Sequence, residues 1–206
     1  DALLLRDDQG RELGHYDRVV VTAPPPQAIE LVQAVAPSLV DDLKRVEMQP
    51  CWAAMVAFEK PLDTRFEGIF VNDDGPLAWV AQNSAKPERG DVAQTWVLHA
   101  SPEWTAEHME LDADAVADEL LGAFFRVLGV EARPASWARA HRWRYAKAKA
   151  SLEAGSLLDP KAGVVACGDW SAGNRVEGAF LAGMSAAGRV LATVHDEKPE
   201  PQLELL

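Results

Sequence analysis

Hydrophobic positions change their period several times along the chain, and each change marks an element. Two apolar runs, Leu3–Arg6 and Tyr16–Thr22, flank the polar stretch Asp7-Asp8-Gln9-Gly10. That pattern predicts a hairpin whose second arm is Tyr16–Ala23. Three β-branched residues in a row, Val19-Val20-Val21, suit a strand buried on both faces of a parallel sheet. Pro24-Pro25-Pro26 stops it. Two short helices are predicted over 27–35 and 38–46, with Ser38 as N-cap of the second.

From residue 51 the pattern reads as strands. A continuous apolar run covers 51–58, and further strands are predicted over 68–71, 77–82 and 95–100, separated by polar loops such as 72–75. Strands in succession without intervening helices point to an antiparallel sheet. Residues 112–128 are the clearest amphipathic helix: Val116, Leu120, Ala123, Phe124, Val127 and Leu128 share one face. Acidic residues crowd its first half, where the helix dipole favours them. Residues 136–145 return as a strand, 163–167 form a short buried strand, and 175–194 a long helix. The end, 195–206, is acidic and predicted to fray.

These elements define an α+β / α/β chain with two layers of organisation. An antiparallel or mixed sheet with flanking helices spans 27–158. The flanks, 1–26 and 159–194, are pieces of one parallel α/β domain. Because the first residues already read as the middle of a strand, the chain start is expected to be a cut.

Charge and cysteine usage narrow the function. A formal net charge of -12 opposes non-specific nucleic-acid binding, which needs clustered cations. The two cysteines, Cys51 and Cys167, show no CxxC pairing and suit a reducing cytoplasm. No apolar run approaches the ~18 residues of a membrane span. The five His and two Cys show no metal-ligand spacing, so no metal is expected.

The chemistry-bearing segment is Val164-Val165-Ala166-Cys167-Gly168-Asp169-Trp170, followed by Ser171-Ala172-Gly173-Asn174-Arg175-Val176-Glu177-Gly178-Ala179. It reads strand, Gly-Asp, small-residue loop, helix. Gly168 lets a ligand approach the backbone. Asp169 can accept from a ribose or ribityl hydroxyl. The N–H groups of Val176, Glu177 and Gly178 point out of a helix start with a positive dipole. Beyond them, Gly178, Ala179, Ala182, Gly183, Ser185, Ala186 and Ala187 make a small-residue face. A plainer reading stands beside this one. Asn174 with Glu177 three positions on resembles a capping box, and the loop then needs no ligand.

Two further stretches carry aromatic residues. His141, Trp143 and Tyr145 alternate along one predicted strand and share a face, with Arg142 and Arg144 on the other. They can wall a pocket or fill a core. Trp96, Leu98 and Ala100 share a face, opposite Val97 and His99. Trp96 and Trp79 each suit a pocket wall or a packed sheet. His99 beside Ser101 lacks the Gly-x-Ser-x-Gly elbow of a hydrolase. Cys167 is read as plain burial.

Taken together, Cys167-Gly168-Asp169-Trp170, the Arg175–Ala179 stretch and the small-residue helix are similar to the last FAD-binding motif of the flavin amine oxidase superfamily. Val19–Ala28 resembles that superfamily's strand leaving the FAD domain. Trp96–Ser101 and His141–Ala146 resemble bacterial renalases in particular, and the similarity runs from residue 1 to about 191. The family's Gly-rich fingerprint, G-x-G-x-x-G, is absent. That motif holds the FAD pyrophosphate. The flanks then correspond to part of a Rossmann-like FAD domain. A chain without the fingerprint is expected to bind FAD weakly or not at all unless the N-terminal FAD-domain segment is supplied as another polypeptide.

The resemblance implies a FAD-dependent oxidoreductase. Its substrate is a mis-reduced dihydro isomer of NAD(P)H, its products NAD(P)+ and, after flavin reoxidation by oxygen, hydrogen peroxide. Gly168, Asp169, Arg175, Val176, Glu177 and Gly178 are the implied cofactor contacts. Trp79, Trp96, His141, Trp143 and Tyr145 are the candidate substrate-pocket residues. Restoring aromaticity drives hydride departure, so no essential general base is expected. Two alternatives remain open: a flavin monoamine oxidase acting on a small amine, and a non-catalytic fragment unable to hold FAD alone.

Overall fold

The computed structural model describes residues 2–73, 75–89 and 93–196. In chain order the first elements are β1 (Leu3–Arg6), β2 (Glu12–Tyr16), β3 (Val19–Val21), α1 (Pro25–Val32), α2 (Val40–Lys44), β4 (Met48–Phe58) and β5 (Gly68–Phe70). Then come β6 (Leu77–Gln82), β7 (Gln94–Ala100), α3 (Pro102–Glu107), α4 (Ala113–Leu128), β8 (Trp137–Ala148), β9 (Leu157–Asp159), β10 (Val164–Ala166) and α5 (Val176–Asp196). Most of the tail predicted to fray, residues 197–206, lies outside the described residues.

The chain divides into two units: residues up to Met48 together with those from Lys147, and Gln49–Ala146. The division falls at 48/49 and 146/147, not at 26/27 and 158/159. Burial explains the difference: α1 and α2 pack on the short sheet of the first unit, not on the larger sheet of the second.

In the first unit, β3, β10 and β9 form a sheet in that order, parallel between β3 and β10 and antiparallel between β10 and β9. Successive strand residues point to opposite faces. Val164 and Ala166 accordingly join a core with Ala28, Val32 and Leu43 from α1 and α2. Val165 and Cys167 join another with Ala182 and Ala186 of α5. The predicted small-residue helix face is what allows that close approach.

Three local expectations are corrected here. The hairpin closes through β2, not through 16–23, which holds the separate strand β3. The turn dictates this: Asp7 N–H donates to the Arg11 carbonyl and Asp7 Oδ1 accepts from the N–H groups of Gln9 and Arg11, so pairing resumes immediately. Ser38 caps no helix. It lies in a 3-10 turn, Pro37–Leu39, and its Oγ donates to Asp159 Oδ2 at 2.6 Å. The Asn174–Glu177 capping box is absent too, for reasons given with the site.

The second unit is built on a five-stranded sheet of order β5-β6-β7-β4-β8, with antiparallel pairing in β5–β6, β6–β7 and β7–β4. Asp112 caps α4, its Oδ1 accepting from Asp114 and Ala115 N–H, and Gly129 ends the helix in the left-handed region. The buried face of α4 (Val116, Leu120, Ala123, Phe124) packs on Trp52, Ala54, Val56, Phe58, Val80, Trp96 and Leu98. Every one of these strand residues points to the α4 side, so their sequence neighbours point to the other.

Candidate functional site

The loop after β10 is held from beneath. Trp170 is buried, and its indole lies directly under Gly168: a β carbon there would sit 2.4 Å from Nε1. Gly168 is therefore required by the fold whether or not a ligand approaches. Ser171, also buried, sets its Oγ 2.7 Å from the carbonyls of both Gly155 and Gly168, so its single hydroxyl hydrogen can be donated to either. The Asp169 carbonyl collects the N–H groups of Ala172, Gly173 and Asn174.

Asn174 does the work that the sequence did not reveal. It adopts φ 50°, and its side-chain amide pairs with both backbone groups of Ala148: Nδ2 donates to the carbonyl at 2.8 Å and Oδ1 accepts from the N–H at 3.2 Å. The amide is thus committed and cannot cap α5, which begins at Val176. Glu177 is exposed and makes no hydrogen bond among the described residues.

What remains free is suited to an anion or a hydroxyl-rich ligand. One carboxylate oxygen of half-buried Asp169 accepts from Trp170 N–H at 2.9 Å; the other has no partner among the described residues. The first-turn N–H groups of Val176, Glu177 and Gly178 likewise have no acceptor among them. Gly173, at φ 120°, leaves open space where a β carbon would stand. Gly178 serves packing instead, since a β carbon would come within 2.8 Å of the Ala172 carbonyl. Val176 is 91% exposed and Arg175 is exposed as well. Burial raises the Cys167 thiol pKa, consistent with an inert thiol.

In the second unit, the sheet face away from α4 brings four of the five pocket candidates together. On β6, Trp79 lies in register with His99 of β7, which pairs with Ala53 of β4. Trp79 contacts Phe70 of β5 at a ring separation of 4.4 Å and covers Gly68, where a β carbon would meet its ring at 2.9 Å. At the other sheet edge, Ala140 of β8 is in the α4 core, so His141, Trp143 and Tyr145 point the opposite way. His141 meets Trp143 edge-on at 4.6 Å, and Trp143 is 56% exposed. Between β6 and β8 lie two strands, giving about 14 Å between the aromatic rows at ordinary strand spacing. Val97, Met55 and Ala57 line the floor between them. Desolvation lowers the pKa of half-buried His99, favouring neutral imidazole.

Trp96 is separated from these four. It is fully buried on the α4 side, 5.1 Å from the Phe124 ring, and its Nε1 has no partner among the described residues. Alternation showed that Trp96 shares a face with Leu98; it could not show which face was the core. Phe70, exposed beside Trp79, was passed over because a three-residue strand carries little periodicity. His99 and Ser101 form no pair: Ser101 Oγ accepts from Trp104 N–H and caps α3. Among the described residues, no group of three or more His, Cys, Asp or Glu could hold a metal.

With this geometry in hand, the relatives can be placed. Residues 1–191 match the family described as flavin containing amine oxidoreductase, and the chain belongs to that family. Its fold is similar to a protein from Exiguobacterium sp. 255-15 assigned as a protoporphyrinogen oxidase (TM-score 0.69, 14% identity, 93% of this chain and 44% of that one). It is also similar to cyclohexylamine oxidase from Brevibacterium oxydans IH-35A (TM-score 0.64, 16% identity, 94% and 46%). A putrescine oxidase variant matches at TM-score 0.64 and 15% identity, over 93% and 46%. The chain thus spans a little under half the length of the solved structures it resembles. The family implies FAD as cofactor, and the free Asp169 oxygen, the open first turn of α5 and the space at Gly173 fit such a group. No helix among the described residues is long and apolar enough to cross a membrane.

Proposed function

We propose that this chain is the substrate-bearing part of a renalase-like FAD-dependent oxidoreductase that converts mis-reduced dihydro isomers of NAD(P)H to NAD(P)+, with oxygen consumed and hydrogen peroxide released. The observation that carries the reading is the sheet face holding Trp79, His141, Trp143 and Tyr145. It offers flat apolar surface, and none of the strand residues on it is a carboxylate. Such a face orients a ring and sheds water, and it carries no carboxylate base. When bound, FAD supplies the two-electron acceptor.

On this reading Gly168, Asp169, Arg175, Val176, Glu177 and Gly178 form the cofactor edge. Asp169 accepts a hydroxyl, and the α5 first turn faces developing negative charge. His141 holds Trp143 in its edge-on geometry and needs to carry no proton.

A second reading is oxidation of a small amine. The Phe70–Trp79 pair favours it, since adjoining aromatic rings in contact at 4.4 Å offer a joint face over which an ammonium group can sit. Anaerobic mixing of the flavin-loaded protein with each substrate class separates the two. The proposal expects flavin bleaching by 2- or 6-dihydronicotinamide dinucleotide, and bleaching by amines alone contradicts it.

The proposal includes a further dinucleotide-binding segment as partner. Its support is apolar surface left over in the first unit. α5 exposes Val176, Phe180, Met184 and Leu191, all within one side of the helix. β3 lies at a sheet edge beside an apolar cavity of about 490 Å³ lined by Leu5, Val20, Leu31 and Val35. A helix apolar on all sides is ordinarily buried on all sides.

A further inference from the structure

We propose that Glu110, on the α4 side of the sheet, is a positioning residue for the aromatic row on the other side: it clamps Arg142 and Arg144 and so fixes the stretch of β8 that presents His141, Trp143 and Tyr145. The inference rests on the reading that this row receives a flat ring. β8 ends the sheet order β5-β6-β7-β4-β8, so among the described residues it has a strand neighbour on one side only. Edge strands held on one side open more readily than central ones. Arg142 and Arg144 alternate with the aromatic residues and so point to the α4 side. The Arg142 guanidinium indeed lies 5.7 Å over the ring of Trp52, a core residue of that side.

Both carboxylate oxygens of Glu110 are engaged. Oε2 accepts from Arg142 at 2.8 Å and Oε1 from Arg144 at 3.0 Å. Arg144 and Arg142 hold the carboxyl below the usual carboxylate range, so it is ionised at neutral pH. Arg142 donates to the Met109 carbonyl as well. The connection between α3 and α4 that carries Glu110 is itself anchored. Leu111 N–H donates to the His108 carbonyl, and that carbonyl also accepts from Trp52 Nε1 at 3.0 Å. The His108 ring stacks on Trp104 at 4.2 Å, and Asp112 caps α4. Contacts therefore run in a closed circuit from Trp52 through residues 108–110 to Arg142 and back to the Trp52 ring. Exposed ion pairs are weak one by one. One carboxylate shared by two guanidinium groups, with Arg142 partly buried, is a network whose members support each other.

Trp143 lies between the two clamped residues, so its Cα and the direction of its side chain follow theirs. On its own face the ring is 56% exposed and meets His141 edge-on at 4.6 Å. Contacts on that face hold it weakly, and the clamp behind the strand supplies the order that the face lacks. Glu110 acts through the strand and reaches no ligand lying on the row.

The test uses the 206-residue chain at a temperature well below the Tm of every variant. Amide hydrogen exchange reports on β8, and the Trp143 indole N–H resonance, followed during titration with free nicotinamide, reports on the row. Nicotinamide is uncharged, so removing a carboxylate on the opposite side of the sheet does not act on it through long-range charge. Glu110→Ala should raise exchange at residues 141–145 about threefold or more and leave β6, β7 and α4 unchanged. It should weaken nicotinamide binding by a similar factor, with Glu110→Gln between it and wild type. Salt at about 1 M should move wild type toward Glu110→Ala. Glu119→Gln, which removes an exposed charge from α4, should change neither readout. Unchanged β8 exchange in Glu110→Ala overturns the clamp. Faster β8 exchange with unchanged nicotinamide affinity leaves Glu110 a purely structural residue and overturns its positioning role. If exchange responds as expected but nicotinamide fails to bind even wild type, the ring reading is overturned and the proposal with it.

Discussion

Gly168→Ala separates a glycine kept for a ligand from one kept for the fold. The backbone at 168 is extended, with φ 170° and ψ 178°, so alanine meets no conformational penalty there. The whole cost is contact: the new β carbon would stand 2.4 Å from Trp170 Nε1 and 2.7 Å from Cδ1. Trp170 is 1% exposed and packs with the α1 and α2 residues of the core, so the indole has no room to retreat. Overpacking of this kind costs about 1–3 kcal/mol. In a chain of this size that lowers Tm by about 2–12 °C. Thermal and urea unfolding of the 206-residue chain measure it without any cofactor. Trp170→Leu removes the Nε1 and Cε2 atoms, so the double variant should lose less than the sum of the two single ones. An unchanged Tm in Gly168→Ala, or strict additivity in the double variant, would show that Trp170 does not dictate the glycine. Loss of flavin affinity with full stability would then return Gly168 to a purely ligand-facing role.

Other variants probe the same loop. Asn174→Gly should unfold at lower urea than wild type because two hydrogen bonds to Ala148 are lost, and Asn174→Ala lower still because φ 50° is strained for alanine. Asp169→Ala should weaken FAD binding in a flavin-loaded protein by about 1.5–3 kcal/mol, read as a dissociation constant. Asp159 has a carboxyl pKa lowered first by the Ser38 hydroxyl and then by Ala162 N–H, so its folded value lies below its unfolded one. Its stabilisation is therefore present above the unfolded pKa and is lost as pH falls through the folded one. Ser38→Ala should narrow the stability gap between neutral and acidic pH, checked by urea midpoints across that range. Glu177→Gln should leave stability within about 0.5 kcal/mol, since its exposed side chain pairs with nothing described.

How far the sequence foretold this structure depended on which physical signal each residue carried. The 3.6-residue period of Val116, Leu120, Ala123 and Phe124 is strong because a sixteen-residue helix repeats it several times. Alternation likewise separated His141, Trp143 and Tyr145 from Arg142 and Arg144. It could not say which side faced α4, and so Trp96 was grouped with residues from which the sheet divides it. The second arm of the hairpin was hidden because Glu12–Tyr16 is largely polar and exposed, with Gly14 at its centre. Asn174 was unreadable for a different reason. Its partner, Ala148, is a backbone 26 residues away, and a left-handed asparagine looks in sequence like a helix cap. The capping-box role read for Glu177 fell with it.

On the proposed function, the aromatic face serves a dihydronicotinamide ring. Anaerobic stopped-flow absorbance tests it most directly, with flavin-loaded protein mixed separately with 6-dihydro-NAD(P) and with a small primary amine. The account predicts rapid loss of the oxidised-flavin absorbance with the dinucleotide, release of NAD(P)+, and no reaction with the amine. Reduction by the amine while the dinucleotide leaves the spectrum unchanged would contradict it.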